Sequence, residues 1–269
     1  MTIQWSLVLF TVFAGTGAWL LACGSYAAAF DDDKKIGKVS AITAVVLLII
    51  GGLLSVTHLS HPTRMLAALS HPTSGIFVEA ALIFVLIVVA VVFYLLLRRG
   101  LSGTALKVVS VIAIALAAIF TYACGSSYMM PSRPTWNMIA LPFGYAGTAL
   151  ISGVSLYALV CTLVNKQDAK TGLLAKMMIV GAAIALVVSL VYGIASGAAF
   201  GSSAPLFWVG VALSGIVPGI VGVVYLKKKR YALGAFCLAL VSAFAGAVVF
   251  RVLMWVIGVA IMNSFGMEI

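Results

Sequence analysis

The chain has 269 residues, of which 64% are hydrophobic and only 8% charged, and its mean hydropathy is +1.24. A water-facing surface needs far more charge than this, which excludes a soluble globular protein. The formal net charge of +10 points to membrane topology rather than to nucleic acid, because the basic residues sit in short loops between apolar runs.

Those runs are about 20 residues or longer and do not alternate in polarity, so they read as helices rather than barrel strands. The predicted fold class is an all-α integral membrane protein, an eight-transmembrane-helix bundle forming one domain over 1–269. In chain order the predicted spans are 5–29, 39–57, 76–97, 108–130, 136–164, 177–200, 204–226 and 231–262. The first run is long and has no basic lead-in, which reads as a retained helix rather than a cleaved signal peptide. The last exceeds what a bilayer requires and is expected to tilt or protrude. All connections are short except 58–75. The echo between Ala22-Cys23-Gly24-Ser25-Tyr26 and Ala123-Cys124-Gly125-Ser126-Ser127-Tyr128 is too short to establish a repeat, and small residues at helix contacts explain it equally well.

The loops sort by charge. Lys34, Lys35 and Lys38 fall between spans one and two, Arg98, Arg99 and Lys107 around the next alternate loop, Lys166, Lys170 and Lys176 after span five, and Lys227 to Arg230 after span seven. Thirteen of the sixteen basic residues are thus on one side. The positive-inside rule places that side in the cytoplasm, so the N-terminus, the C-terminus, the 58–75 segment and the loop around Arg133 are expected to face outward.

Titratable groups gather on the outward side. His58, His61 and His71 all lie within the one outward segment, and Glu79 is the lone acid of span three. His58 is placed at the membrane–water boundary, with Pro62 stopping the helix and Arg64 beyond it. A neutral imidazole accepts a proton near physiological pH, and a guanidinium holds an oxyanion or carboxylate. Together they suit oxidation of a quinol, which releases two electrons and two protons; ordinary interfacial residues on a polar loop would look the same. His61 and His71, each before a proline, read as exposed loop residues. Glu79 either relays a proton or pairs with Arg64, or else caps its helix start, where a carboxylate complements the dipole. Arg251, near the middle of span eight, must face the bundle interior or a polar pocket, since a lipid-facing arginine at that depth costs on the order of 2.5–3.5 kcal/mol. Glu79 or a ligand oxygen is its expected partner. Pro134 and Trp136 read as a helix start and an interfacial anchor.

Cys23, Cys124, Cys161 and Cys237 form no CxxC pair and read as buried, inert thiols, so no metal site is expected. With all histidines in one segment, a bis-histidine haem inside the bundle is not expected. Phosphate-binding glycine loops, hydrolytic triads and zinc motifs are missing from the sequence, and no catalytic residue is assigned.

The segment His58-Leu59-Ser60-His61-Pro62-Thr63-Arg64, with Glu79-Ala80 about fifteen residues on, resembles the H-L-G-x-P-x-R…E pattern of the membrane anchor subunits of dimethyl sulfoxide reductases, the DmsC family. Phe10-Thr11-Val12-Phe13, Pro134-Thr135-Trp136 and Arg251 match that family in order, so the resemblance covers nearly the whole chain. It implies an anchor that binds and oxidises menaquinol, carries no haem, and sits in the cytoplasmic membrane of a prokaryote. The implied partners are an iron–sulfur electron-transfer subunit (DmsB-like) and a molybdopterin catalytic subunit (DmsA-like). Iron–sulfur clusters and the Mo-bis(molybdopterin guanine dinucleotide) would belong to those partners. His58 matches the family histidine tied to quinol binding, and Arg64, Glu79 and Arg251 match polar residues lining the same region. Two positions depart from the pattern: Ser60 replaces glycine, and Ala247 stands where the family often has a glutamate before the span-eight arginine. Two rivals are a quinol-interacting anchor of the NrfD/PsrC type with another terminal acceptor, and a small-solute transporter, which broken helices and inverted repeats would support.

Overall fold

A computed structural model describes residues 2–57, 71, 73–101, 103–164, 171–228 and 233–259. Among them all regular structure is helical: α1 (Trp5–Phe30), α2 (Lys34–Val56), α3 (Gly75–Arg98), α4 (Thr104–Ser126), α5 (Ala140–Val164), α6 (Thr171–Ala195), α7 (Ala204–Val211), a π turn (Ala212–Ile216), α8 (Val217–Lys228) and α9 (Leu233–Ile257). With α7, the π turn and α8 forming one span, the described residues contain 8 helices long and apolar enough to cross a membrane. The expected all-α membrane bundle is the observed one. His58, His61 and Arg64, and the stretch from 260 to 269, lie outside the described residues.

Two helices occupy the centre. α1 packs against α2, α4, α5 and α9, and α5 contacts α1, α4, α6 and α9. Both are buried over most of their length, while the other spans turn wide apolar faces outward. Small residues make this possible, because lipid supplies no hydrophobic drive between helices and close backbone packing must do so. A Cβ on Gly144 would lie 2.1 Å from the Phe250 ring of α9. The echoed glycines fit the same rule: Gly24 presses α1 onto Ser40 of α2, and Gly125 presses α4 onto Pro142 of α5. Cys23, Cys124 and Cys161 are buried free thiols, as expected, and Cys237 is half-buried.

Several predicted boundaries move. α2 begins at Lys34 rather than 39, because the Asp33 carboxylate caps it by accepting from the Ile36 N–H at 3.2 Å. Lys34, Lys35 and Lys38 therefore lie at the start of α2, and Lys107 and Lys176 likewise lie within α4 and α6. α4 ends at Ser126, not 130, and α5 starts at Ala140, not 136. α6 stops at Ala195 instead of 200, because Gly197 takes the left-handed conformation (φ 76°) that turns the chain back. α9 ends at Ile257, so the predicted over-long last span is an ordinary one of 25 residues. These shifts leave the charge sorting intact: the described lysines of the loops all sit at the helix ends forming one end of the bundle, hereafter the lysine end.

Candidate functional site at the opposite end of the bundle

Glu79 and Arg251 occupy the opposite end. Ser74 caps α3 by accepting from the Phe77 N–H at 3.3 Å, which sets Glu79 one turn inside the helix. Glu79 is buried, and its carboxylate accepts from the Ser127 hydroxyl at 2.7 Å, just past the end of α4. It is held by a hydroxyl and not, among the described residues, by an ion pair.

Arg251 faces the interior, as required, and is 1% exposed. Its Nε donates to Thr11 Oγ1 of α1 at 2.6 Å, and Nη1 donates to Thr148 Oγ1 of α5 at 3.2 Å and to the Ala247 carbonyl at 2.8 Å. The guanidinium also lies over the Tyr145 ring, 4.4 Å from its centroid. The expected bond to Glu79 is not made, and no carboxylate contacts Arg251 among the described residues. Ala247, where the family often has a glutamate, contributes only its backbone carbonyl. Among the described residues the cation is solvated by neutral dipoles and no anion compensates its charge.

Aromatic rings fill the space between these two charged groups. Tyr128, next to Ser127, lies 5.7 Å from Tyr145, 5.9 Å from Trp136 and 6.1 Å from Trp255 by ring centroids, and Trp136 and Trp255 meet edge-on at 5.1 Å. Burial, and after it the nearby Glu79 carboxyl, drives the Tyr128 phenol well above its ordinary range, so it remains a neutral O–H. The Trp255 indole N–H is buried with no acceptor among the described residues, a cost of about 1–3 kcal/mol for a group with no partner.

The stretch from Tyr128 to Ile139 closes this end. A helix leaves its last carbonyls unpaired, and here the loop supplies donors to α9. Trp136 Nε1 donates to the Met254 carbonyl at 2.8 Å, Thr135 Oγ1 to that of Ile257 at 3.0 Å, and Arg133 Nη1 to that of Gly258. Trp136 is therefore a buried wedge and not the interfacial anchor expected, and Pro134 lies in a turn rather than at a helix start. Arg133, stacked 4.6 Å from the Trp136 ring centroid, is a capping residue. His71 is exposed, as read from its proline neighbour.

The family profile described as DMSO reductase anchor subunit (DmsC) matches residues 1–257. The chain belongs to the DmsC family. No curated protein sequence matches it. A DmsC anchor implies a membrane and partner subunits for catalysis and electron transfer.

Of the four residues singled out in the anchor, the fold brings Glu79 and Arg251 to one end and links them through Ser127, Tyr128 and Tyr145. It also sets Val56 and Gly75, which flank the His58–Arg64 segment, at that end. Thr11, Thr148, Tyr128, Tyr145 and Trp255 were not legible as site residues. Thr11 lay in a matched motif, but nothing in a lone membrane threonine or tyrosine distinguishes an arginine's partner from a helix contact.

Proposed function

We propose that this DmsC anchor binds menaquinol at the end carrying Arg251 and Glu79, which faces outward, and oxidises it for the partner subunits. The observation that carries this reading is Arg251: a guanidinium in the bundle interior whose described partners are all neutral. An uncompensated buried cation is costly unless it serves a ligand with negative or polarisable oxygens. The Trp255 N–H offers a second donor, and the surrounding aromatic rings suit a flat naphthoquinone head. Menaquinol is a substrate here, and each oxidation releases two electrons and two protons. His58, which follows α2 in the sequence, accepts a proton from a quinol hydroxyl. Arg64 and Arg251 orient the oxygens, and Glu79 passes protons outward through Ser127 or fixes Arg64.

Electrons go to an iron–sulfur partner (DmsB-like) docked on this face, and then to a molybdopterin partner (DmsA-like). The anchor itself holds no haem, and its setting is the cytoplasmic membrane of a prokaryote. The π turn does not favour a transporter, because its freed Leu213 carbonyl already accepts from Ser242 Oγ at 2.7 Å.

The test is purification of the complex through a tag on this chain, with iron and molybdenum assayed, followed by His58→Ala. Both metals in stoichiometric amounts, and quinol-dependent turnover lost in His58→Ala while reduction by a dye acting directly on the partners survives, are the expected results. Intact quinol-dependent turnover in His58→Ala would remove the histidine from the mechanism, and a chain that purifies alone and metal-free without losing subunits would overturn the anchor's redox role.

A further inference from the structure

A groove of about 400 Å³ separates α4 from α6, floored by α1 and α5. It lies in the half of the membrane nearer the lysine end, remote from Arg251. Trp19, Tyr26, Ile114, Val154 and Met177 line it, and its walls are apolar apart from Lys176 at the rim. Its floor is pinned, since Trp19 Nε1 donates to Thr121 Oγ1 across the α1–α4 contact at 3.4 Å.

The groove ends in donors. Lys176 is exposed, one turn into α6. The Tyr26 ring stacks on Phe30 at 4.9 Å, and Lys107 Nζ lies 5.7 Å from the Phe30 centroid. The Tyr26 hydroxyl has no hydrogen-bond partner among the described residues. An apolar slot at membrane depth that opens into lipid, with two lysines and a phenol at its surface end, matches an acyl chain joined to an anionic headgroup. Basic side chains near the membrane surface favour anionic over neutral lipid, and long lysine stems reach the headgroup from within the apolar zone.

We propose that this groove seats one anionic glycerophospholipid of the leaflet at the lysine end. An acyl chain runs along Trp19, Ile114 and Met177, and the phosphate meets Lys176 and the Tyr26 hydroxyl, with Lys107 adding charge beside them. This site is independent of the quinol reading.

The test exchanges the purified complex into micelles holding equal palmitoyl-oleoyl phosphatidylglycerol and phosphatidylcholine, washes it, and counts retained lipid by mass spectrometry. One phosphatidylglycerol per chain is expected. Lys176→Gln should lower its preference over phosphatidylcholine about fivefold. Gly181→Phe, whose ring enters the groove, should abolish retention. That position accepts a Cβ at an ordinary 3.4 Å from Ile151 Cδ1, and a parent-like thermal midpoint in detergent checks that the variant keeps the fold. Lys228→Gln, exposed at the same end on α8, should retain as the parent does. Equal retention of the two lipids, retention unchanged by Lys176→Gln and Gly181→Phe, or an isoprenoid quinone held in the lipid's place would each overturn the proposal.

Discussion

Arg251 sets the chemistry at the scale of single residues. Its hydroxyl partners Thr11 and Thr148 come from the two central helices, so the charge is fixed in position, and no described residue neutralises it. Arg251→Gln should lower quinol-dependent turnover by about tenfold or more, as expected for removing a hydrogen bond from a charged group. Dye-driven reduction through the partner subunits should be unchanged. Two tryptophans make a sharper contrast. Trp136 Nε1 is satisfied by the Met254 carbonyl, whereas Trp255 Nε1 has no described acceptor. Trp136→Phe should therefore destabilise the anchor by about 1 kcal/mol, read as a lower thermal midpoint in detergent. Trp255→Phe should leave the midpoint unchanged and raise KM for quinol. If both variants lost the same stability, Trp255 would be a packing residue only. Glu79 and Arg251 were legible in the sequence because ionisable residues in apolar spans stand out. Their actual partners were not, because hydroxyl and ring contacts between distant spans leave no local pattern.

At the scale of helices, the π turn shows how one residue reshapes a span. Pro218 has no N–H to give the Ser214 carbonyl, and its ring would clash there in a regular α-helix. The chain widens over Ala212–Ile216 instead. A Cβ on Gly246 of α9 would lie 2.5 Å from the Ser214 nitrogen, so the widened turn is set against α9 at close range, and Ser242 satisfies the freed Leu213 carbonyl. Ser242→Ala should lower the thermal midpoint, with a cost of about 0.6–1.7 kcal/mol, and Ser242→Thr should restore it. No loss in the alanine variant would show that the carbonyl is satisfied otherwise. The sequence located all eight spans, since a long apolar run has few other solutions. It misplaced ends wherever a cap or loop decided them: Asp33 extends α2 across three lysines, and Trp136 looks interfacial until α9 is seen to need its donor.

At the scale of the whole molecule, α1 and α5 are the two least hydropathic spans and the two most buried. This signal was present in the sequence, because interior helices exchange apolar bulk for glycine and hydroxyl residues. Topology follows from charge, with the lysine end expected in the cytoplasm. A cysteine placed at Gln4 should react with an impermeant thiol reagent from outside, and one at Lys228 only from inside. Cys237, half-buried near the lysine end, is replaced by serine in both variants, and the other native cysteines, Cys23, Cys124 and Cys161, are buried. The reversed pattern would put the Arg251 site on the cytoplasmic face. The most direct test of quinol oxidation at that site is single-turnover reduction of the partner's iron–sulfur clusters by a menaquinol analogue, followed by absorbance. Rapid bleaching in the parent complex, slowed about tenfold or more in Arg251→Gln with dye-driven bleaching intact, is the expected result. Equal rates of quinol-driven bleaching in the two complexes would contradict it.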